Sequence, residues 1–379
     1  MAPARPHRRK SHSHRWLITG RRWAFRLHRW LALGTALLLV LLGLSGSLLV
    51  YRDPLYRLLH PQTRIQIREQ PAPLGRLLDA AFTLYPPDSG AWRLVLPTQA
   101  GEPAKATYVS DDPFEGPEGE VIVWIDPYRA EVLRAFEKDR DWFEGWLYRF
   151  HSTWLLEEGK LLSAALGAVL AILIATGLFL WWPTRRRLPL DLAGSHRWLG
   201  ALGSPLLLFS TLTGLYLAIP HAWLPALYPA IVSEPRPPVL EPADTAPLDI
   251  DTLVTRIVRR HPRLELRALS PPRSETDPWL LEFHRQGDYD APPSWDKVWI
   301  DPWHARLAGR IAPPPTWRET LLRWMFPLHS GAAVPPETLP LLALTGLLPL
   351  LLACTGLWLW LRHRLRRRHR ALSARQNRH

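Results

Sequence analysis

Four histidines at the boundaries of long apolar runs are the side chains of this sequence best suited to chemistry. His28 and His196 each open an apolar run within the sequence His-Arg-Trp-Leu. His151 and His329 each follow an aromatic, amphipathic stretch and stand directly before a serine. Imidazole is the commonest metal ligand among protein side chains and a frequent axial ligand of haem iron. The residue type and its recurrence therefore predict a ligand site near each end of the apolar runs.

The second half of the chain repeats the first. A His-Arg-Trp motif, a hydroxyl–glycine pair, an Ile-Asp-Pro turn, a boundary histidine and a second hydroxyl–glycine pair follow one another in both halves. The recurring pairs and turns are Ser45-Gly46 with Thr213-Gly214, Ile125-Asp126-Pro127 with Ile300-Asp301-Pro302, and Thr176-Gly177 with Thr355-Gly356. Self-similarity of this kind indicates a duplicated structural unit. We therefore expect equivalent histidines to occupy equivalent positions in the two repeats.

Four apolar runs are long enough to cross a bilayer, whose hydrocarbon core needs about 20 mostly apolar residues. The expected fold is an α-helical membrane protein with four transmembrane helices in two internal repeats and two periplasmic α+β domains. Spans are predicted at 27–51, 151–183, 196–219 and 329–361, domains with an interfacial helix at 52–150 and 220–328, and cytoplasmic segments at 1–26, 184–195 and 362–379.

Each of the two polar domains has one stretch of helical periodicity and several strand-like runs. Apolar residues recur at helical spacing around Leu77 and again around Leu253. Alternating or β-branched residues predict strands at 92–96, 104–109, 121–125, 131–135, 264–269, 279–283 and 297–300. Aromatic stretches at 142–150 and 317–328 predict a helix at the membrane surface in front of each boundary histidine.

The formal net charge of +13 is concentrated in three arginine-rich stretches, at 5–29, 185–187 and 362–370. These stretches alternate with the polar domains, as the positive-inside rule describes for cytoplasmic loops. We therefore expect both termini on the cytoplasmic side, the lipid bilayer as a partner, and no nucleic-acid partner. The one cysteine, Cys354, lies in the last apolar run, so neither an intramolecular disulfide nor a thiolate cluster is expected.

Equivalent histidines at one depth of a repeated structure can face each other across a flat ligand. The sequence places His28 and His196 at the cytoplasmic boundary, and His151 and His329 at the outer boundary. A haem iron takes one axial imidazole on each side of its ring. The pattern therefore predicts one haem between the members of each pair, two in all, and a path for electrons across the membrane.

The arginines of the His-Arg-Trp motifs, Arg29 and Arg197, are candidate partners of haem propionates, because guanidinium groups pair well with carboxylates. A purely structural role for these histidines and hydroxyl–glycine pairs remains an alternative to haem binding. Interfacial hydrogen bonding accounts for a single boundary histidine, and a Thr-Gly pair in a span is also a common packing notch.

The ordered set of motifs resembles the PepSY-associated transmembrane family, which includes iron-regulated membrane proteins and ferric-siderophore reductases of bacterial inner membranes. The motifs that carry the resemblance are His28-Arg29-Trp30 with Ser45-Gly46-Ser47, His151 with Thr176-Gly177-Leu178, His196-Arg197-Trp198 with Thr213-Gly214-Leu215, and His329-Ser330-Gly331 with Thr355-Gly356-Leu357. The resemblance implies PepSY-like periplasmic domains, haem b held by these histidines, and reduction of a ferric siderophore or other ferric chelate at the outer face. The sequence shows no Gly-rich nucleotide motif, so quinol or a separate cytoplasmic reductase is the expected electron donor.

Two other functions remain open on sequence. A non-redox PepSY-type binding or regulatory protein would use its spans only as anchors and would be colourless. An iron-chelate permease would move its ligand inward without an electron donor. The spans carry no charge at their centres, which argues against a permease, although Pro205 and Pro349 interrupt two of them. No catalytic residue is assigned from the sequence.

Overall fold

The computed structural model describes residues 12–111, 119–182, 191–219, 236–311 and 317–376. The chain divides into two compact units. The helical unit comprises Met1–Val50, His151–Ile219 and Pro336–His379, and the sheet unit comprises Tyr51–Phe150 and Pro220–Pro335. The predicted arginine-rich linker at 185–187 lies outside the described residues.

The described residues form nine α-helices and eight β-strands. The helices are α1 (His12–Val50), α2 (Arg52–Leu59), α3 (Leu74–Phe82), α4 (Leu147–Thr153), α5 (Gly159–Trp181), α6 (Leu192–Leu217), α7 (Ile250–Arg260), α8 (Trp317–Ser330) and α9 (Leu339–Gln376). The strands are β1 (Gly90–Val95), β2 (Ala104–Ser110), β3 (Glu120–Ile125), β4 (Val132–Glu137), β5 (Leu264–Ser270), β6 (Trp279–Arg285), β7 (Asp296–Ile300) and β8 (Leu307–Arg310).

Four of these helices are long and apolar enough to cross a membrane, so the prediction of four spans is confirmed. The apolar segments are Ile18–Val50 in α1, Gly159–Trp181 in α5, Leu192–Leu217 in α6 and Leu339–Arg370 in α9. The first helix begins at His12, well before the predicted start of the span at residue 27. Arginine favours helix, and extending a formed helix costs far less than starting one, so the basic stretch continues the span.

The four long helices pack as a ring, because α1 and α6 each contact both α5 and α9. The closest approach lies between α1 and α9, where Gly43 and Gly346 meet backbone to backbone and a Cβ on either would overlap the other's carbonyl oxygen. Ser47 of α1 also donates a hydrogen bond of 2.7 Å to the carbonyl of Ala343 in α9. Small residues favour such contacts in membranes, where close packing replaces the hydrophobic driving force.

The sheet unit is built on one eight-stranded antiparallel sheet with the order β4-β3-β2-β1-β5-β6-β7-β8. The two polar segments predicted as separate domains are thus joined in a single sheet through β1 and β5. Helices α3 and α7 cover one face of the sheet, where Leu77 and Leu253 pack in a common core with Leu269 and Leu281. The predicted helices and strands are confirmed, and β8 is an additional strand that the sequence pattern did not indicate.

The seam between the two halves of the sheet is short and is reinforced by side chains. Only Leu94 and Val95 of β1 are in register with β5. Arg93 reaches across β5 to Glu282, with nitrogen–oxygen distances of 2.7 and 3.1 Å. Lys297 approaches the same carboxylate from β7 at 3.4 Å. An ion triad of residues from both halves therefore strengthens a seam that has few backbone pairs.

A second side chain joins the halves at the start of α3. The residue preceding this helix is Pro73, which supplies no capping side chain. Asp251 of α7 accepts hydrogen bonds from the backbone N–H of Leu74 at 2.7 Å and of Gly75 at 3.0 Å. A carboxylate at this position satisfies free amide groups and is favoured by the helix dipole.

Replacing Glu282 with glutamine should destabilise the sheet unit in a pH-dependent way. Burial raises the pKa of Glu282, but Arg93 and Lys297 lower it by more, so its pKa lies below the ordinary value. The carboxylate therefore stabilises the fold at neutral pH, and this contribution disappears as the pH falls through the unfolded glutamate pKa of about 4.3 and on through the lower folded pKa. We expect a loss of about 2 kcal/mol at pH 7, since a charged hydrogen-bonded pair is removed.

The measurement is the unfolding midpoint of the detergent-solubilised chain, followed by circular dichroism from pH 7 down to pH 3. The difference in unfolding midpoint between wild type and Glu282→Gln should become smaller as the pH falls. The exposed Glu69 provides the matched control, and Glu69→Gln should match wild type throughout. A gap that stays constant over this pH range would show that the charge of Glu282 does not contribute.

Candidate functional site

His28 lies on α1, half-buried, with its imidazole against α5. Its Nδ1 is 2.9 Å from the hydroxyl oxygen of Thr176. The ring also hydrogen-bonds to the backbone of Leu173, three residues before that threonine. The histidine is therefore held by two groups of a single turn of the neighbouring helix.

His196 is held on α6 in the same way. Its Nδ1 is 2.8 Å from the hydroxyl oxygen of Thr355 in α9. The second bond again comes from the backbone three residues earlier, at Leu352. Two histidines that share a sequence motif thus share a hydrogen-bond arrangement, and each bonds to the long helix that follows its own in the chain.

His151 on α4 shows the arrangement a third time, with serine in place of threonine. Its Nδ1 is 3.0 Å from the hydroxyl oxygen of Ser45 and 3.1 Å from the carbonyl oxygen of Leu42, both in α1. The carbonyl is once more three residues before the hydroxyl residue. The three described sites therefore follow one geometric rule.

The hydroxyl groups decide which ring nitrogen carries the proton. The Thr176 hydroxyl lies 2.7 Å from the carbonyl of Ile172, and the Thr355 hydroxyl lies 2.8 Å from that of Leu351. When the hydroxyl donates its single hydrogen to that carbonyl, the threonine oxygen accepts a hydrogen bond from imidazole Nδ1–H. For His151 the Leu42 carbonyl leads to the same conclusion. With the proton on Nδ1, Nε2 is the unprotonated nitrogen, which is the form in which imidazole binds a metal.

Glycine leaves room for each ring. A Cβ on Gly177 would lie 3.3 Å from Cε1 of His28, one on Gly356 3.3 Å from Cε1 of His196, and one on Gly46 2.9 Å from Cε1 of His151. We call each hydroxyl–glycine pair an imidazole notch. The imidazole notches are Thr176-Gly177, Thr355-Gly356 and Ser45-Gly46. In each, the first residue binds Nδ1 and the second admits the carbon beside it.

The structure brings two of the predicted ligands near each other. His28 and His196 lie within electrostatic range, so their charged forms would repel. Their helices, α1 and α6, are the two members of the ring that share α5 and α9 as neighbours. His329 lies on α8 in the sheet unit, half-buried, so its pairing with His151 stays a prediction.

The two predicted arginines differ in their surroundings. The guanidinium of Arg29 lies over the rings of Trp30, at 5.0 Å, and Phe25, at 5.7 Å. Its Nε is buried and has no hydrogen-bond partner among the described residues. Arg197 is exposed and acts electrostatically on the neighbouring His196. Arg29, the residue after His28, thus has a buried donor without a partner among the described residues.

The donor chemistry of these sites fits haem better than a bare metal ion. Within the described ranges no three His, Cys, Asp or Glu side chains come together as metal ligands. An isolated ion needs three or four protein ligands, whereas haem iron needs only one or two because the macrocycle supplies the rest. Paired imidazoles with a free Nε2, and a buried arginine donor nearby, are the groups that a haem and its propionates require.

The hydroxyl partners of the histidines were not predicted from the sequence. The hydroxyl–glycine pairs were visible there as markers of the repeat, and Gly46 follows His28 by eighteen residues in the same span. Eighteen residues of α-helix span about 27 Å, so this pair lies far from His28 on the same helix. The structure assigns it to His151 instead. The recurrence of the pairs in all four spans was the available signal.

A comparison with known protein families matches most of the chain. The sequence profile of the PepSY-associated TM region matches residues 25–363, a range that includes the three imidazole notches and nearly all of the four apolar segments. No curated protein matches the chain. Since the match extends over most of the sequence, the chain is a multi-pass membrane protein that belongs to the PepSY-associated transmembrane family.

Proposed function

We propose that this protein is a haem-containing electron carrier of a bacterial inner membrane that reduces ferric siderophores or other ferric chelates at the periplasmic face. The observation that carries the proposal is the state of the three described boundary histidines. Each is held through Nδ1 by an imidazole notch, and in His28 and His196 this leaves Nε2 as the nitrogen for iron. Histidines that bind metals are commonly oriented in this way, by a hydrogen bond from the ring nitrogen that does not hold the metal.

Two haem b groups are proposed, each supplying a one-electron couple at its iron when bound. His28 and His196 would hold one from opposite sides, and their mutual proximity supports this pair. His151 and His329 would hold the other, as their equivalent places in the two sequence repeats suggest. Arg29 would bind a propionate through its unpaired Nε, and Arg197 is its counterpart in the second repeat.

The spacing of the sites along α1 supports transfer across the membrane. His28 and the notch that holds His151 both lie on this helix. Gly46 of the notch follows His28 by eighteen residues. That separation is about 27 Å, close to the hydrocarbon thickness of about 30 Å. One site would therefore lie near each face of the bilayer.

The proposed orientation follows from the distribution of arginines. Basic residues are concentrated in the first turns of α1 and the last turns of α9. By the positive-inside rule, both termini would then lie in the cytoplasm and the sheet unit in the periplasm. Electrons would enter near His28 and His196 from quinol or a separate cytoplasmic reductase. They would leave near His151, towards the ferric chelate.

The test is the absorption spectrum of the detergent-purified full chain, oxidised and then reduced with dithionite, with haem quantified per chain. We expect a six-coordinate, low-spin b-type spectrum and about two haems per chain. Ferric citrate added without oxygen should reoxidise the reduced protein. Absence of haem after expression with ample iron and haem would refute the proposal. Uptake of a ferric chelate by proteoliposomes without any electron donor would favour a permease instead.

A further inference from the structure

We propose that Thr176 and Thr355 are positioning residues that keep the Nδ1 proton on His28 and His196 and thereby set the reduction potential of the haem between them. The proposal rests on the haem function proposed above. It concerns the chain's own hydroxyl groups, which neither the family match nor the histidine pattern assigns to any role.

The first step is that each threonine hydroxyl favours one way of bonding its histidine. Each hydroxyl donates to the carbonyl four residues earlier, Ile172 at 2.7 Å and Leu351 at 2.8 Å. The remaining lone pairs of the oxygen face imidazole Nδ1, 2.9 Å away at His28. In the opposite tautomer the hydroxyl would have to leave the carbonyl in order to donate to Nδ1, so the back-bonded hydroxyl favours Nδ1–H.

The second step is that the threonine–histidine hydrogen bond is additional to the bond that a threonine in a helix ordinarily donates to the carbonyl four residues earlier. Thr211 of α6 and Thr345 of α9 are buried in the same bundle and donate to the carbonyl four residues earlier, at 2.6 and 3.1 Å. No histidine contact accompanies them within the described part of the chain. Threonine in these spans therefore does not need an imidazole to satisfy its hydroxyl, and the two notch threonines differ by having one.

The third step concerns the effect on a bound iron. A hydrogen bond from Nδ1–H draws positive charge away from the ring, so Nε2 becomes a stronger electron donor. Stronger axial donation stabilises ferric over ferrous iron and lowers the reduction potential. Removing the hydroxyl while keeping the side-chain shape should therefore raise the potential and weaken the hold on the haem.

The experiment compares Thr176→Val and Thr355→Val, which remove the hydroxyl at nearly constant volume, with Thr176→Ser and Thr355→Ser, which keep it. Spectroelectrochemical titration of the full chain should show one of two haems at a more positive potential in each valine variant. Haem affinity should fall about 10- to 100-fold at that site. The serine variants should restore both properties, and the control Thr211→Val should resemble wild type.

A second measurement needs no haem. In ¹⁵N-histidine-labelled protein prepared without haem, the ring-nitrogen shifts should show a larger share of the Nδ1–H tautomer for His28 in wild type than in Thr176→Val, where the Leu173 backbone alone still bonds the ring. The signal is assigned from its absence in His28→Ala. Wild type that shows this tautomer but never binds haem would refute the haem function and leave the positioning role intact.

Two results would overturn the positioning role itself. One is a Thr176→Val protein whose haem potential, haem affinity and tautomer all equal those of wild type. The other is a Thr176→Ser protein that loses haem as Thr176→Val does, since side-chain volume rather than the hydroxyl would then explain the effect.

Discussion

Replacing either His28 or His196 with alanine should remove the same haem signal from the purified protein and leave the other signal in place. Each ring is held by its own imidazole notch, and the two rings lie within electrostatic range of each other. A haem between two axial imidazoles loses its low-spin spectrum when one is removed. Haem content should fall from about two per chain to about one, with the same absorption and redox signature lost in both variants.

The double variant sharpens this test. His28→Ala combined with His196→Ala should lose no more haem than either single change, because both ligands serve one group. His363→Ala is a suitable control, since His363 is an exposed histidine near the end of α9 outside the notches. The pairing would be wrong if His28→Ala removed the same signal as His151→Ala while His196→Ala did not.

Alanine at Gly43 should destabilise the helical unit more than alanine at any open position of α1. A Cβ at Gly43 would overlap the backbone carbonyl of Gly346, and backbone cannot move aside as a flexible side chain does. Overpacking of this kind costs about 1–3 kcal/mol and sometimes more. Because α1 carries both His28 and the notch Ser45-Gly46, a displaced α1 should also release haem more readily at both proposed sites.

The matched control lies on the same helix. A Cβ added at Gly34 would meet no atom within 4 Å, so Gly34→Ala should be neutral or stabilising by up to about 1 kcal/mol through helix propensity. Stability is measured by unfolding of the full chain in mixed detergent micelles. Equal stabilities for Gly43→Ala and Gly34→Ala would contradict the close contact between α1 and α9.

Much of this molecule follows from local sequence patterns. The length and apolarity of four runs were enough to predict α1, α5, α6 and α9, because a bilayer imposes one length on any helix that crosses it. Alternating apolar residues were enough for strands such as β1 and β6, and helical spacing around Leu77 and Leu253 for α3 and α7. The residue type and its recurrence in the two repeats also identified the four histidines as candidate ligands.

The joining of the two polar segments could not be predicted in this way. Each segment has the strands and helix of a small domain, and local patterning does not say which strand edges will pair. In the structure β1 pairs with β5, Arg93 reaches Glu282, and Asp251 caps α3. These contacts join residues more than 170 positions apart in the chain, so only the folded structure reveals them.

For the candidate site, the sequence determined which side chains are present. The tertiary structure determined which hydroxyl–glycine pair contacts which histidine. The sequence contains every histidine and every hydroxyl–glycine pair, but it does not say which pair bonds which histidine. The antiparallel packing of successive helices gives that pair to His151, and gives His28 the pair from α5. The physical reason is that a rigid helix separates its own two ends by its full length, so a histidine at one end can be reached only by the opposite end of a neighbour.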